Sequence, residues 1–221
     1  GYENLAVAGT SVSETGLTEA TAYDFRIRME GAGGCASENS TTGTVTTRSG
    51  SPIAPSALDA SDGLYTDRVG LTWGNVDDET GYTVWRHTLN LPAGATAIGQ
   101  TGTDTTWYDD TTATPGQIYY YWVTATNAIG SSPKSASDSG YRKLSPPTGV
   151  SATDGANTNN VTITWIASDG ATSYKIFRDT NATPTAGVAD LGVQSSGFQG
   201  TTAIPGQQYG YWVMALASSS G

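Results

Sequence analysis

The stretch Pro115-Gly-Gln-Ile-Tyr-Tyr-Tyr-Trp-Val-Thr-Ala125 decides the fold of this chain. From Tyr119 onward it alternates with a period of two. Tyr119, Tyr121, Val123 and Ala125 fall on one face, and Tyr120, Trp122 and Thr124 fall on the other. Successive side chains of a β-strand point to opposite sides of the sheet, so a run with one apolar face reads as a strand covering a core. The stretch returns 90 residues later as Pro205-Gly-Gln-Gln-Tyr-Gly-Tyr-Trp-Val213, with Tyr209, Tyr211, Val213 and Ala215 on the apolar face. It occurs a third time near the start as Leu17-Thr-Glu-Ala-Thr-Ala-Tyr23-Asp-Phe-Arg-Ile-Arg28, with Tyr23, Phe25, Ile27 and Met29 on that face.

Other segments repeat in step. Ser61-Asp-Gly-Leu-Tyr-Thr-Asp-Arg-Val-Gly-Leu-Thr-Trp73 matches Thr153-Asp-Gly-Ala-Asn-Thr-Asn-Asn-Val-Thr-Ile-Thr-Trp165, and the two tryptophans lie 92 residues apart. Nine residues after each comes a tyrosine, Tyr82 in Gly-Tyr-Thr-Val-Trp-Arg and Tyr174 in Ser-Tyr-Lys-Ile-Phe-Arg. Self-similarity at a fixed period is the signature of an array of like units. No helical 3.6-residue pattern of useful length interrupts it, so the chain reads as all-β. Two proline-stiffened linkers, Ser51-Pro-Ile-Ala-Pro55 and Leu144-Ser-Pro-Pro-Thr148, divide it into 1–50, 51–144 and 145–221. Such short linkers are expected to hold neighbouring units in a fairly fixed relation.

Composition agrees. The 221 residues suit two to three modules. Charged residues make up only 14%, while Thr, Ser, Gly, Ala and Asn dominate. Threonine suits a pleated surface, and Gly, Asn and Asp suit tight turns. Six Trp and twelve Tyr can fill the cores, which argues against disorder. A net charge of −10 repels phosphate backbones and anionic lipid, so nucleic acid and membrane surfaces are poor partners. The single cysteine, Cys35, excludes an intrachain disulfide and reads as a small residue near a strand turn. No apolar run approaches membrane-spanning length, and Gly1-Tyr2-Glu3-Asn4 does not read as a secretion leader.

These residues resemble fibronectin type III modules. The second copy carries the family's proline-rich start at Pro55, its second-strand tryptophan at Trp73 and its Tyr-x-Val segment at Tyr82 and Val84. Pro115 through Ala125 supplies the sixth strand. The third copy carries Pro147, Trp165, Tyr174 with Ile176, and Pro205 through Ala215. The first keeps only Leu17 to about Thr47. The resemblance implies tandem immunoglobulin-like β-sandwiches of the kind repeated in large secreted or surface-attached prokaryotic proteins, each of seven strands in two sheets. It further implies that Tyr23, Tyr119 and Tyr209 bond through their hydroxyls to the backbone just upstream, and that Trp73 and Trp165 are core residues. On this reading the first unit lacks its early strands and the third lacks its last. The chain is then expected to be a window of a longer protein, or else to be completed by strands of a neighbouring chain.

The candidate chemistry thins out when the copies are compared. Asp62, Asp67, Asp77, Asp78, Glu79, Asp109 and Asp110 suggest a calcium site. However, Asp67 becomes Asn159 in the third copy and Asp109-Asp110 becomes Gln199-Gly200, which weakens it. Asp62-Gly63 and Asp154-Gly155 need only turn geometry. No carboxylate pair sits in a cleft-forming element, His87 has no Ser or Cys motif beside it, and no phosphate loop follows a strand. No enzyme activity, metal or cofactor is therefore expected. Asn39, Asn160 and Asn181 fit the glycosylation sequon at about the frequency chance gives.

The aromatics away from the core are more informative. In the resembled fold the third and sixth strands are neighbours, which places Trp85 beside Trp122 and Tyr120, and Phe177 beside Trp212. Such pairs can stabilise a sheet, or they can form an exposed ridge for contact with protein or glycan. The leading expectation is a structural or adhesive segment of an extracellular or cell-surface protein, such as a stalk, surface layer or filament. Its partners would be neighbouring modules or other copies of the protein. The alternative is a spacer or glycan-binding part of a secreted hydrolase, with polysaccharide as partner and the catalytic domain elsewhere; an appendage on a viral particle is a weaker third.

Overall fold

The computed structural model describes residues 6–47, 50–155, 158–185, 187–194 and 197–218. The chain ends at Gly1 and Gly221, on which the expectation of unfinished units turns, lie outside the described residues. The first copy forms a hairpin of β1 (Ala22–Phe25) and β2 (Gly43–Thr46), paired from Ala22↔Thr46 to Phe25↔Gly43. Its supposed core face is open to solvent. Phe25, Ile27 and Met29 are 41%, 76% and 76% exposed, because no second sheet among the described residues lies over the hairpin.

The second copy builds the expected seven-strand, two-sheet sandwich. Its strands are β3 (Asp59–Ala60), β4 (Val69–Thr72), β5 (Gly81–His87), β6 (Thr96–Gly102), β7 (Trp107–Asp110), β8 (Tyr119–Thr126) and β9 (Asp138–Gly140). A short 3-10 turn, Pro92–Gly94, precedes β6. One sheet has the order β3-β4-β7 and the other β6-β5-β8-β9. Alternation along the strands supplies the core: Val69, Leu71 and Trp73 from one sheet meet Tyr82, Val84, Tyr121, Val123 and Ala125 from the other. Each buried aliphatic side chain of this kind contributes about 1.5–3 kcal/mol relative to exposure.

The third copy repeats the plan with β10 (Thr148–Ala152), β11 (Val161–Ile166), β12 (Ser173–Asp179), β13 (Ala189–Gln194), β14 (Phe198–Gly200) and β15 (Gly210–Leu216). The sheets run β10-β11-β14 and β13-β12-β15. Ile163, Tyr174 and Ile176 are its buried centre. Trp165 is only half-buried, unlike Trp73, since the described sheet opposite it is one strand narrower.

Tyrosine hydroxyls fasten the loops at equivalent points. The backbone N–H of Thr18, Thr114 and Ile204 donates to Tyr23, Tyr119 and Tyr209 at 2.8, 3.5 and 3.4 Å, each from five residues upstream. These are the upstream backbone bonds that the resemblance implied. A second clasp was not anticipated: Val76 N–H donates to Tyr82 Oη at 2.9 Å, and Ser168 N–H donates to Tyr174 Oη at 3.1 Å. The rings of these two tyrosines lie 5.5 and 5.1 Å from Trp73 and Trp165, tilted by 63° and 59°. One side chain therefore packs the core and ties the loop above it.

Candidate interaction surface

Strands β5 and β8 pair antiparallel with Trp85 directly opposite Trp122 and His87 opposite Tyr120. Strands β12 and β15 pair with Phe177 opposite Trp212. The sequence thus located these neighbours correctly, but the second copy does not present them as an exposed ridge. Trp122 is 2% exposed, and Trp85 and Tyr120 are half-buried. The reason is position within the sheet. Strand β8 lies inside its sheet between β5 and β9, with Trp85 directly opposite Trp122 on the β5 side. Trp85 is also engaged: its indole N–H donates to Thr124 Oγ1 at 3.1 Å, and the Lys134 ammonium lies 4.2 Å over its ring.

The third copy differs. Phe177 and Trp212 are half-buried, Met214 is 44% exposed, and β15 is an edge strand among the described residues. Phe177, Pro184, Val188, Trp212, Val213 and Met214 line an apolar depression of about 330 Å³. Trp85 and Tyr120 are half-buried as Phe177 and Trp212 are, so among the described residues the two copies differ here at Trp122, which is enclosed, and at Met214, which is open.

The carboxylates resolve into separate structural roles. Arg68 pairs with Asp67 and Asp109 at 3.2 and 3.3 Å on the surface. Glu79 accepts the Asp104 backbone N–H at 2.6 Å. Asp78 holds a positive φ of 61° in the loop after Trp73. Burial, with the charges of Asp138 and Asp59, pushes the Asp62 carboxyl above its usual range. Among the described residues no three His, Cys, Asp or Glu side chains gather where they could hold a metal ion. Cys35 is exposed, and its carbonyl accepts the Gly31 N–H in a turn.

Asp110 is the most deeply buried of these carboxylates, 1% exposed against 6% for Glu79. One of its oxygens accepts Arg86 Nη1 at 2.6 Å and the Tyr121 hydroxyl at 3.0 Å. The other accepts the Thr112 N–H at 2.9 Å and its hydroxyl at 2.7 Å. Burial alone would raise this carboxyl, but the Thr112 and Arg86 bonds and the Arg86 charge outweigh it and hold it below the ordinary range. The same surroundings push the Tyr121 hydroxyl far up, by burial first and the Asp110 charge second. The sequence conceals this cluster because Asp110 stands next to Asp109, its exposed neighbour on the opposite face of β7. The period of two that sorted the aromatics would have separated them.

A second feature was also missed. In the first copy Ser40 Oγ accepts the Ile27 N–H at 3.0 Å and Ser37 Oγ accepts the Met29 N–H at 2.9 Å. In the second, Ser135 Oγ accepts the Val123 N–H at 3.0 Å and Ser132 Oγ accepts the Ala125 N–H at 2.9 Å. These hydroxyls replace ladder bonds where the strand after the sixth diverges. The shared Ser-x-x-Ser spacing was the available signal.

No family model matches the chain. It is similar to a two-domain fibronectin type III segment of chicken tenascin, with 18% identity, a TM-score of 0.57, and coverage of 74% of this chain and 91% of that one. It also aligns with a Fn3-like protein from Clostridium thermocellum at 29% identity over 43% of this chain and 98% of that one, with a TM-score of 0.38. Among curated proteins it is 32% identical over 160 residues to Exoglucanase B of Cellulomonas fimi. That match takes in 67% of this chain and 14% of the exoglucanase, so the chain spans a small part of its relative's length. With the two-sheet strand order of the second copy, the likeness to the tenascin segment gives this chain the fold of tandem fibronectin type III β-sandwiches.

Proposed function

We propose that this chain is a non-catalytic segment of an extracellular protein, in which modules 1–50, 51–144 and 145–221 set spacing and offer lateral contact, as in a stalk, surface layer or filament. The observation that carries the reading is the close junction between the second and third copies. Gly170, at φ 76°, packs so tightly on the Pro115 carbonyl that a β-carbon there would collide with it. A β-carbon on Gly116 would likewise meet Leu144 and Ala217. At the first junction Asn127 Nδ2 donates to the Gly50 carbonyl at 2.9 Å. Modules in one chain move relative to one another by default unless their contact restrains them, so such junctions favour a role in fixed spacing. Small-angle X-ray scattering of the chain tests this. A fixed maximum dimension that broadens in Gly170→Leu supports the reading, and a profile of freely swinging units in the wild type overturns it.

The likeness to Exoglucanase B favours a second reading, as accessory modules of a secreted glycoside hydrolase, with the apolar depression of the third copy as a glycan contact. The test is retention on an insoluble glucan. Retention that Phe177→Ala and Trp212→Ala abolish would support the accessory role over the structural one. Trp122→Ala does not test binding, because Trp122 is buried and its loss is a folding defect.

A further inference from the structure

The buried cluster of the second copy has a counterpart in the third from which only the carboxylate is missing. Strand pairing places Val69 opposite Asp110 and Val161 opposite Gly200, so Gly200 stands where Asp110 stands. The groups that grip Asp110 are all retained. Arg86 stacks 4.4 Å over Tyr119, and Arg178 stacks 4.5 Å over Tyr209. Arg86 donates to Thr112 Oγ1 at 3.0 Å, and Arg178 donates to Thr202 Oγ1 at 3.2 Å. Tyr119 and Tyr121 are 6.5 Å apart at 55°, while Tyr209 and Tyr211 are 6.4 Å apart at 57°.

The consequences of the missing acid are visible. Among the described residues Arg178 forms no ion pair, and the Tyr211 hydroxyl is buried with no hydrogen-bond partner. In the second copy the same hydroxyl donates to Asp110. A buried hydroxyl without a partner costs free energy, and the Arg178 guanidinium, bonded to Thr202 and carried opposite Tyr211 in the sheet, offers with them donors suited to a planar two-oxygen anion. The Asp110 carboxylate shows, within the same chain, which ligand chemistry this arrangement accepts.

We propose that Arg178, Thr202 and Tyr211 form a binding site for a compact carboxylate supplied by a ligand rather than by the chain. The space is small. A β-carbon on Gly200 would lie 3.0 Å from the Phe198 ring, which occupies the place of Tyr108, so the ring must give slightly as the anion enters. That limit favours a carboxylate over the bulkier tetrahedral phosphate.

The experiment is a titration of the whole chain with sodium formate, followed by amide NMR at Thr202 and by the guanidinium signal of Arg178. Sodium chloride at equal ionic strength and neutral formamide serve as controls. The expected result is a saturable shift at both positions with formate and its loss in Arg178→Gln. Gly200→Asp, which supplies the carboxylate covalently, is expected to lose the response as well, with its Arg178 signal already displaced in the absence of formate. Tyr211→Phe tests the site without depending on that variant: it should weaken the formate response while leaving the thermal transition of the third copy in place. The proposal fails if wild-type shifts are linear in formate, are matched by chloride, are exceeded with phosphate, or persist unchanged in both Arg178→Gln and Tyr211→Phe.

Discussion

Replacing Asp110 by Asn keeps the shape of a side chain that accepts four hydrogen bonds and removes its charge. The Arg86 guanidinium, 19% exposed, is then left facing an amide whose single oxygen cannot serve all the former donors. Removing one partner of a buried ion pair costs about 3–5 kcal/mol, because the remaining charge is left uncompensated. Arg86 keeps its stacking on Tyr119 and some access to water, so the lower end, about 3 kcal/mol, is the expected loss. With urea slopes of about 1–3 kcal/mol per molar, the midpoint of the second copy should fall by roughly 1–3 M. A chain of several modules need not unfold in one step, so hydrogen exchange at Val84 and Val123 reports the second copy and exchange at Ile176 reports the third. The pH dependence has a definite sign. The folded carboxyl titrates below its unfolded value, so its contribution is complete above about pH 4 and is lost as the pH falls through the folded pKa. Asp110→Asn should flatten that acid limb. A loss below about 1 kcal/mol, the scale of an exposed pair such as Arg68–Asp109, would refute the reasoning, as would an unchanged acid limb.

Three further outcomes follow from the geometry. Tyr82→Phe strips the Val76 N–H of its acceptor and should destabilise the second copy by about 1–3 kcal/mol, with Tyr174→Phe acting likewise on the third, both measurable by denaturant unfolding. Ser135→Ala leaves the buried Val123 N–H without its hydroxyl acceptor, at a cost of about 1–3 kcal/mol and with faster exchange at that amide. Trp122→Ala should cost about 3–5 kcal/mol, as for a buried aromatic, and Trp212→Ala distinctly less; equal losses in thermal unfolding would contradict the difference in their burial.

Much of this architecture can be read from the chain itself, since it rests on periodicities that secondary structure obeys locally. Alternation in Tyr119–Ala125 selects a strand and its buried face, and repetition of Trp73 and Tyr82 as Trp165 and Tyr174 selects an array of sandwiches. The pairing of Trp85 with Trp122, and of Phe177 with Trp212, follows once those strands are neighbours. Whether a given face is exposed does not follow, because burial depends on how many strands flank it and on what lies across. Trp122 is enclosed between two strands while Trp212 sits on a described edge, although the residues around them match closely. Phe25, Ile27 and Met29 carry the pattern of a core face and yet lie open. The polar cluster is the clearest division between the two levels. Arg86, Asp110, Thr112 and Tyr121 are scattered along the chain, and only the meeting of two sheets converts an aspartate that reads as one of a surface pair into a buried ionic centre. Its replacement by Gly200 is visible in the sequence as a mere mismatch between repeats. The tertiary structure gives that mismatch its physical content: among the described residues, Tyr211 is left without an acceptor and Arg178 without a counter-charge.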